Sequence, residues 1–209
     1  MKLPRPPLLV ITDRKQAKAS LEDILAASFA GGCRWASIRE KDLPPDEQVA
    51  LARRLLAVAR DWNAHLTLHG APTLAQEAGL DGVHLPAGAN ASAARELLGN
   101  SALIGISVHQ VEEAQKLDPK VVDYAIAGPA YASTSKPDYG PVLGMLGVTR
   151  IREATEVPII AVGGIAPGAV AEMHVAGAAG IAVMGSIMRA PDPKDEVAHL
   201  ITALQSDGA

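Results

Sequence analysis

The chain has 209 residues, 48% of them hydrophobic but only 3% aromatic, with a formal net charge of −4. That length suits one domain spanning 1–209, and the composition calls for a core of Ala, Val, Leu and Ile, the small branched residues that a parallel sheet buried on both faces prefers. The charge balance argues against a phosphate-backbone binder, the scarcity of aromatics against a stacking surface for single-stranded nucleic acid, and the short apolar runs against a membrane span of roughly 20 residues.

Apolar runs of strand length recur from end to end, at Leu8–Thr12, Trp35–Arg39, His65–His69, Gly82–Leu85, Ala102–Ile106, Asp123–Ala127, Ile159–Val162 and Gly180–Met184. Helical patterns lie between them. The clearest is Asp46–Trp62, with Val49, Leu51, Leu55, Leu56 and Val58 at helix-like spacing. Ser20, Asp46 and Thr73 stand where N-caps would help, and Pro167 suits a first helical turn. Gly79 and Gly177 read as helix C-terminal glycines that turn the chain into the next strand. Even βα spacing and this repeated unit predict an α/β fold, a single (β/α)8 TIM barrel. The N-terminal Met1–Pro7 lacks a signal-peptide core, and Cys33 is the only cysteine, so no internal disulfide forms and a reducing cytoplasm is expected. With no adjacent base, Cys33 reads as a buried small residue.

In such a barrel the strand exits carry function. After strand two, Arg39-Glu40-Lys41-Asp42 fits an anion clasp or a solvated charge cluster equally well. After strand five, Ser107 sits at the strand end with His109 beyond it, and an imidazole suits proton transfer near neutrality; pairing with Glu112 or Glu113 is the plainer reading. After strand six, residues 128–140 form the longest connection without helical or strand pattern, where Ser133, Thr134 and Ser135 run into Lys136 as an anion clasp. Strands seven and eight exit through Gly163-Gly164 and Gly185-Ser186, turns that let the backbone approach a phosphate.

Taken in order, several phrases resemble the thiamine phosphate synthase superfamily over almost the whole chain. They are Leu9-Val10-Ile11-Thr12-Asp13, Ile38-Arg39-Glu40-Lys41, Asp81-Gly82-Val83-His84-Leu85, Gly105-Ile106-Ser107-Val108-His109 and Gly128-Pro129 through Ser133-Thr134-Ser135-Lys136-Pro137. Pro158 through Ile165 and Gly180–Ser186 complete the set. In the synthases of the superfamily that this chain resembles, strand three ends in Asn-Asp and strand four is followed by Gly-Gln-x-Asp, whose carboxylates hold magnesium. The matching positions here are His69-Gly70 and Pro86-Ala87-Gly88-Ala89. Magnesium relies on carboxylate anchors, and an imidazole is a poor substitute. The chain is more similar to the TenI branch, which includes thiazole tautomerases, and the acid/base histidine of that branch falls on His109.

The resemblance therefore implies an isomerase: a TenI-like thiazole tautomerase of thiamine biosynthesis, acting on carboxythiazole phosphate by proton transfer through His109, with no cofactor and no metal. Arg39, Lys41, His69, Ser107, Ser133, Ser135 and Lys136 would bind substrate, and Gly163, Gly164, Gly185 and Ser186 its phosphate. The alternatives are a transferase, thiamine phosphate synthase with an altered metal site in which Glu40, Asp13 or Asp138 replaces the lost ligands, and a non-catalytic thiazole-phosphate-binding regulatory protein. The expected partner is a small phosphorylated thiazole-type substrate, with no nucleic acid and no membrane; Ala-rich helix surfaces are compatible with a homodimer.

Overall fold

The computed structural model describes residues 3–133 and 140–206. Eight strands, β1 (Leu8–Ile11), β2 (Trp35–Ile38), β3 (His65–His69), β4 (Gly82–Leu85), β5 (Leu103–Val108), β6 (Tyr124–Ala127), β7 (Ile159–Val162) and β8 (Gly180–Val183), pair in parallel in sequence order and close into a barrel. Between them run α1 (Leu21–Ala30), α2 (Pro45–Asp61), α3 (Pro72–Ala78), α4 (Ala91–Leu98), α5 (Val111–Ala114), α6 (Gly144–Glu153) and α7 (Val170–Val175), the last entered by a 3-10 turn at Pro167–Ala169. A short α8 (Gly185–Met188) and the outer α9 (Pro193–Ser206) follow β8. The fold is a (β/α)8 TIM barrel, as the strand spacing predicts, and among the described residues no helix is long and apolar enough to cross a membrane.

The alternation of side chains along each strand divides the core in two. Leu8, Val10, Ala36, Ile38, Leu66, Leu68, Val83 and Ile104 face outward and pack with helix residues such as Leu25, Phe29, Leu55 and Ala75. Leu9, Ile11, Trp35, Tyr124, Ile126, Ile160 and Ala182 fill the barrel itself. Each fully buried Leu or Ile contributes about 1.5–3 kcal/mol through removal of its surface from water. Inside, the Trp35 and Tyr124 rings meet edge to face at 4.7 Å. A Cβ at Gly105 would come within 2.1 Å of Tyr124 Cζ, so β5 carries glycine where the tyrosine ring crosses it.

Local details refine the sequence reading. Ser20 caps α1 by accepting from the Asp23 amide at 3.1 Å. Asp46 and Thr73 lie inside their helices instead, because Pro45 and Pro72 occupy the first turns with φ already suited to a helix. Pro167 opens its 3-10 turn, and Gly79 and Gly177 adopt φ of 70° and 83° at the helix ends. β5 runs two residues beyond the expected Ile106, so Ser107 belongs to the strand and is held by its register opposite Ile126. Cys33 is fully buried beside the Trp35 carbonyl, and burial pushes its thiol up to about 11.

Candidate active site

Beyond the end of β2 at Ile38, the two acids of the charged tetrad pair with the exit of β1. Glu40, only 3% exposed, turns toward the exit of β1, where it accepts from Thr12 Oγ1 at 2.8 Å, from the Arg14 amide at 3.1 Å and from Arg14 Nη1 at 3.2 Å. Asp42 takes both Arg14 nitrogens, at 2.6 and 2.8 Å, and Lys15 Nζ at 2.9 Å. Arg14, followed by Lys15, holds the Asp42 carboxyl well below the usual carboxylate range. Thr12 Oγ1 also accepts from the Arg39 amide at 2.9 Å, fixing the backbone from which Arg39 and Lys41 project. Neither of these two cations has a carboxylate partner among the described residues. The stem of Lys41 is crowded although its surface is exposed, and that desolvation, followed by the charge of Arg39, draws its pKa down. Arg14 went unremarked in the sequence because its role depends on two acids 26 and 28 positions away.

Inside the mouth, His69 is half-buried and its ring lies 4.5 Å from that of His84. His84 is fully buried, within 5.6 Å of Tyr124, and its Nε2 is 2.9 Å from Ser107 Oγ. Burial first, and the charge of Lys41 second, depress the His84 pKa to about 3, so the ring is neutral.

His109 stands exposed just beyond β5, anchored at two points. Its amide donates to Glu113 Oε2 at 2.6 Å, and Nδ1 is 2.8 Å from the Gly128 carbonyl at the end of β6. A carbonyl can only accept, so this contact assigns the ring proton to Nδ1 and leaves the lone pair of the neutral imidazole on Nε2. The carboxylate thus holds the backbone of His109 while the imidazole is oriented from the neighbouring strand.

At the exits of β7 and β8 the chain combines left-handed glycines with a short extra helix. Gly163 and Gly164 have φ of 102° and 63°. The segment after β6 runs alongside them, Ala130 donating to Val162 at 2.7 Å and Tyr131 to Gly163 at 3.0 Å. A Cβ at Gly164 would approach the Ala132 carbonyl to 2.5 Å, so close packing alone already demands glycine there. The first amides of α8, those of Gly185 and Ser186, have no acceptor one turn earlier. A phosphate site built from the last two βα loops and a short extra helix recurs in this fold. The Tyr131 hydroxyl donates to Glu172 on α7 and ties the β6 exit to the helix behind the glycines, a long-range pairing that no local pattern announces. Ser133 is half-buried beside this segment, whereas Ser135, Lys136 and Asp138 lie outside the described residues. A separate cavity of about 660 Å³, lined by Leu117, Arg152, Glu156 and Gly177, opens at the opposite end of the barrel.

Among the described residues, the donor set at the mouth does not fit a carboxylate-held magnesium ion. The β3 and β4 exits present His69-Gly70 and Pro86-Ala87-Gly88-Ala89, without a carboxylate. Glu40 and Asp42 are bound to Arg14, and Asp13 accepts from the Lys15 amide at 3.1 Å and from Gln16 Nε2 at 2.5 Å. Among the described residues no three His, Cys, Asp or Glu side chains converge as metal ligands.

Fold and mouth together define the class: a (β/α)8 barrel whose strand exits gather two cations, a histidine with an assigned tautomer and a pair of glycine turns. The chain belongs to the thiamine monophosphate synthase family, whose model it matches over residues 8–187. This is an enzyme family of thiamine biosynthesis. The chain is 40% identical over 176 residues to a thiamine biosynthesis bifunctional protein ThiM/ThiE of Symbiobacterium thermophilum, covering 84% of this chain but only 37% of that longer relative. It is 35% identical to a thiamine-phosphate synthase of Roseiflexus castenholzii, over 88% of this chain and 82% of the other. The solved structure of a thiamine phosphate pyrophosphorylase from Pyrococcus furiosus superposes with a TM-score of 0.84 at 27% identity, covering 97% and 96% of the two chains.

Proposed function

We propose that this member of the family is a thiazole tautomerase, moving a proton on carboxythiazole phosphate without a metal. The observation that carries the reading is the state of the acids at the mouth: Glu40 and Asp42 are tied up by Arg14, with Lys15 also on Asp42, and the β3 and β4 exits supply none. Displacement of a diphosphate develops charge that a divalent ion ordinarily compensates, whereas a tautomerisation needs only a positioned acid/base. In this reading the backbone of Gly163, Gly164, Gly185 and Ser186 holds the phosphate. Arg39 and Lys41 face the ring carboxylate, assisted by Ser133 and by Ser135 and Lys136 of the segment outside the described residues. His109 Nε2 takes a proton at one position of the ring system and returns it at another, while Nδ1 keeps its bond to Gly128. Nothing is consumed, and the proton count closes. General acid–base catalysis of this kind supplies about 10²–10⁴-fold.

The test is His109→Asn assayed by NMR for tautomer conversion and solvent-deuterium uptake. The variant is expected to bind carboxythiazole phosphate as the parent does while losing turnover; undiminished turnover removes His109 from the mechanism. A second reading, the transferase thiamine phosphate synthase, is favoured by the names of the relatives, several of which are called synthases at 32–36% identity. It requires metal ligands other than those described above.

A further inference from the structure

His84 is a fully buried imidazole of the barrel interior that the proton transfer leaves unused, yet its surroundings specify which of its nitrogens carries hydrogen. The ring is fully buried, Nε2 lies 2.9 Å from Ser107 Oγ, and Nδ1 is buried with no hydrogen-bond partner. Two neutral tautomers are open to it. With hydrogen on Nδ1, a buried N–H points at nothing, and orphaned buried N–H groups are rare because their desolvation is uncompensated. With hydrogen on Nε2, the donor is satisfied by Ser107 and the orphan is only a lone pair; the intrinsic preference of neutral imidazole for Nε2–H acts in the same direction.

The consequence falls on Ser107, which is half-buried at the next-to-last position of β5 and has a single hydroxyl hydrogen. If Ser107 accepts from His84, that hydrogen is released to donate toward the mouth, into which the end of β5 leads. We propose that His84 is a positioning residue: its Nε2–H fixes Ser107 as a hydrogen-bond donor toward an anionic oxygen of the ligand. Ser107 then meets the ligand as a donor, so this position selects the ring carboxylate oxygen and disfavours an amino group or protonated ring nitrogen there. This deepens the reading above and rests on it for the identity of the ligand. The tautomer itself does not depend on that reading.

Two measurements test it together. Long-range 15N–1H NMR of the labelled protein, with His84 assigned from the signals lost in His84→Gln, is expected to give Nε2 the shift of a protonated nitrogen and Nδ1 that of a bare one. The reverse pattern overturns the proposal, whatever the protein binds. Calorimetric titration then compares carboxythiazole phosphate with the thiazole phosphate lacking the carboxylate. Ser107→Ala and His84→Phe are each expected to weaken the carboxylated ligand about tenfold, the scale of one hydrogen bond to a charged group. The pair together should cost no more than either alone, and His84→Gln, which restores a side-chain N–H, should recover most of the loss. Additive losses, or equal losses for both ligands, refute the positioning role; failure of the parent to bind either ligand refutes the tautomerase reading and leaves the NMR result to judge His84.

Discussion

Arg14 donates through Nη1 to Glu40 at 3.2 Å, the buried end of a network that locks the β1 exit to the β2 exit. Glu40 also receives the Thr12 hydroxyl and the Arg14 amide, so its removal strands several donors at once. Glu40→Ala is expected to cost about 1–3 kcal/mol of stability, the desolvation scale for donors left without an acceptor, measured by urea denaturation. A loss within experimental error would mean that water replaces the carboxylate without penalty.

Stability should also depend on pH through His84. Its folded pKa of about 3 lies below the ordinary 6.5, so below pH 6.5 the unfolded chain binds a proton that the folded chain refuses. The sign follows: stability falls as pH drops from about 6.5 toward 3, with a slope of at most about 1.4 kcal/mol per pH unit from this group. His84→Gln should flatten the profile in that window, and an unchanged profile would show that His84 does not set it.

Gly105→Ala places a methyl group against the Tyr124 ring. Overpacking of this kind costs about 1–3 kcal/mol. Coupling it to Tyr124→Val should relieve the clash, so that the double variant is less destabilised than the sum of the singles. Simple additivity would mean that the ring moves aside at no cost.

Gly164→Ala faces both a left-handed φ of 63° and the Ala132 carbonyl. The β7 exit must shift, and carboxythiazole phosphate affinity is expected to fall at least about tenfold, as for the loss of one good hydrogen bond to phosphate. Calorimetry below the melting range separates this from unfolding; unchanged affinity would remove Gly164 from the phosphate cradle.

Cys33 should be inert to a thiol reagent in the native protein and react at once in denaturant, since burial keeps it a neutral thiol. Fast native labelling would show that the β2 entrance opens.

Much of this architecture was legible before any coordinates. Apolar runs flanked by glycine and proline located every strand, and Ser20, Gly79 and Gly177 behave as their local chemistry dictates. The error at Asp46 and Thr73 arose where a proline one residue earlier set the helix start more strongly than a capping side chain. What could not be read were the pairings between distant exits: Arg14 with Glu40, Tyr131 with Glu172, and His84 with Ser107. Which members of the tetrad Arg39-Glu40-Lys41-Asp42 are tied to a neighbouring exit depends on Arg14 after β1, and so became interpretable only when the barrel closed. His109 was singled out by the family resemblance rather than by position alone, and its Nδ1 contact with Gly128 belongs to the β5–β6 register and has no sequence signature.

The most direct test is pyrophosphate release. The purified protein is given hydroxymethylpyrimidine diphosphate, carboxythiazole phosphate and magnesium, and both pyrophosphate and the thiazole tautomers are followed in the same tube. Conversion of the tautomer with no pyrophosphate above background is the predicted result. Sustained magnesium-dependent release of pyrophosphate, matched by coupled product, would contradict it and make this chain a synthase with an unrecognised metal site.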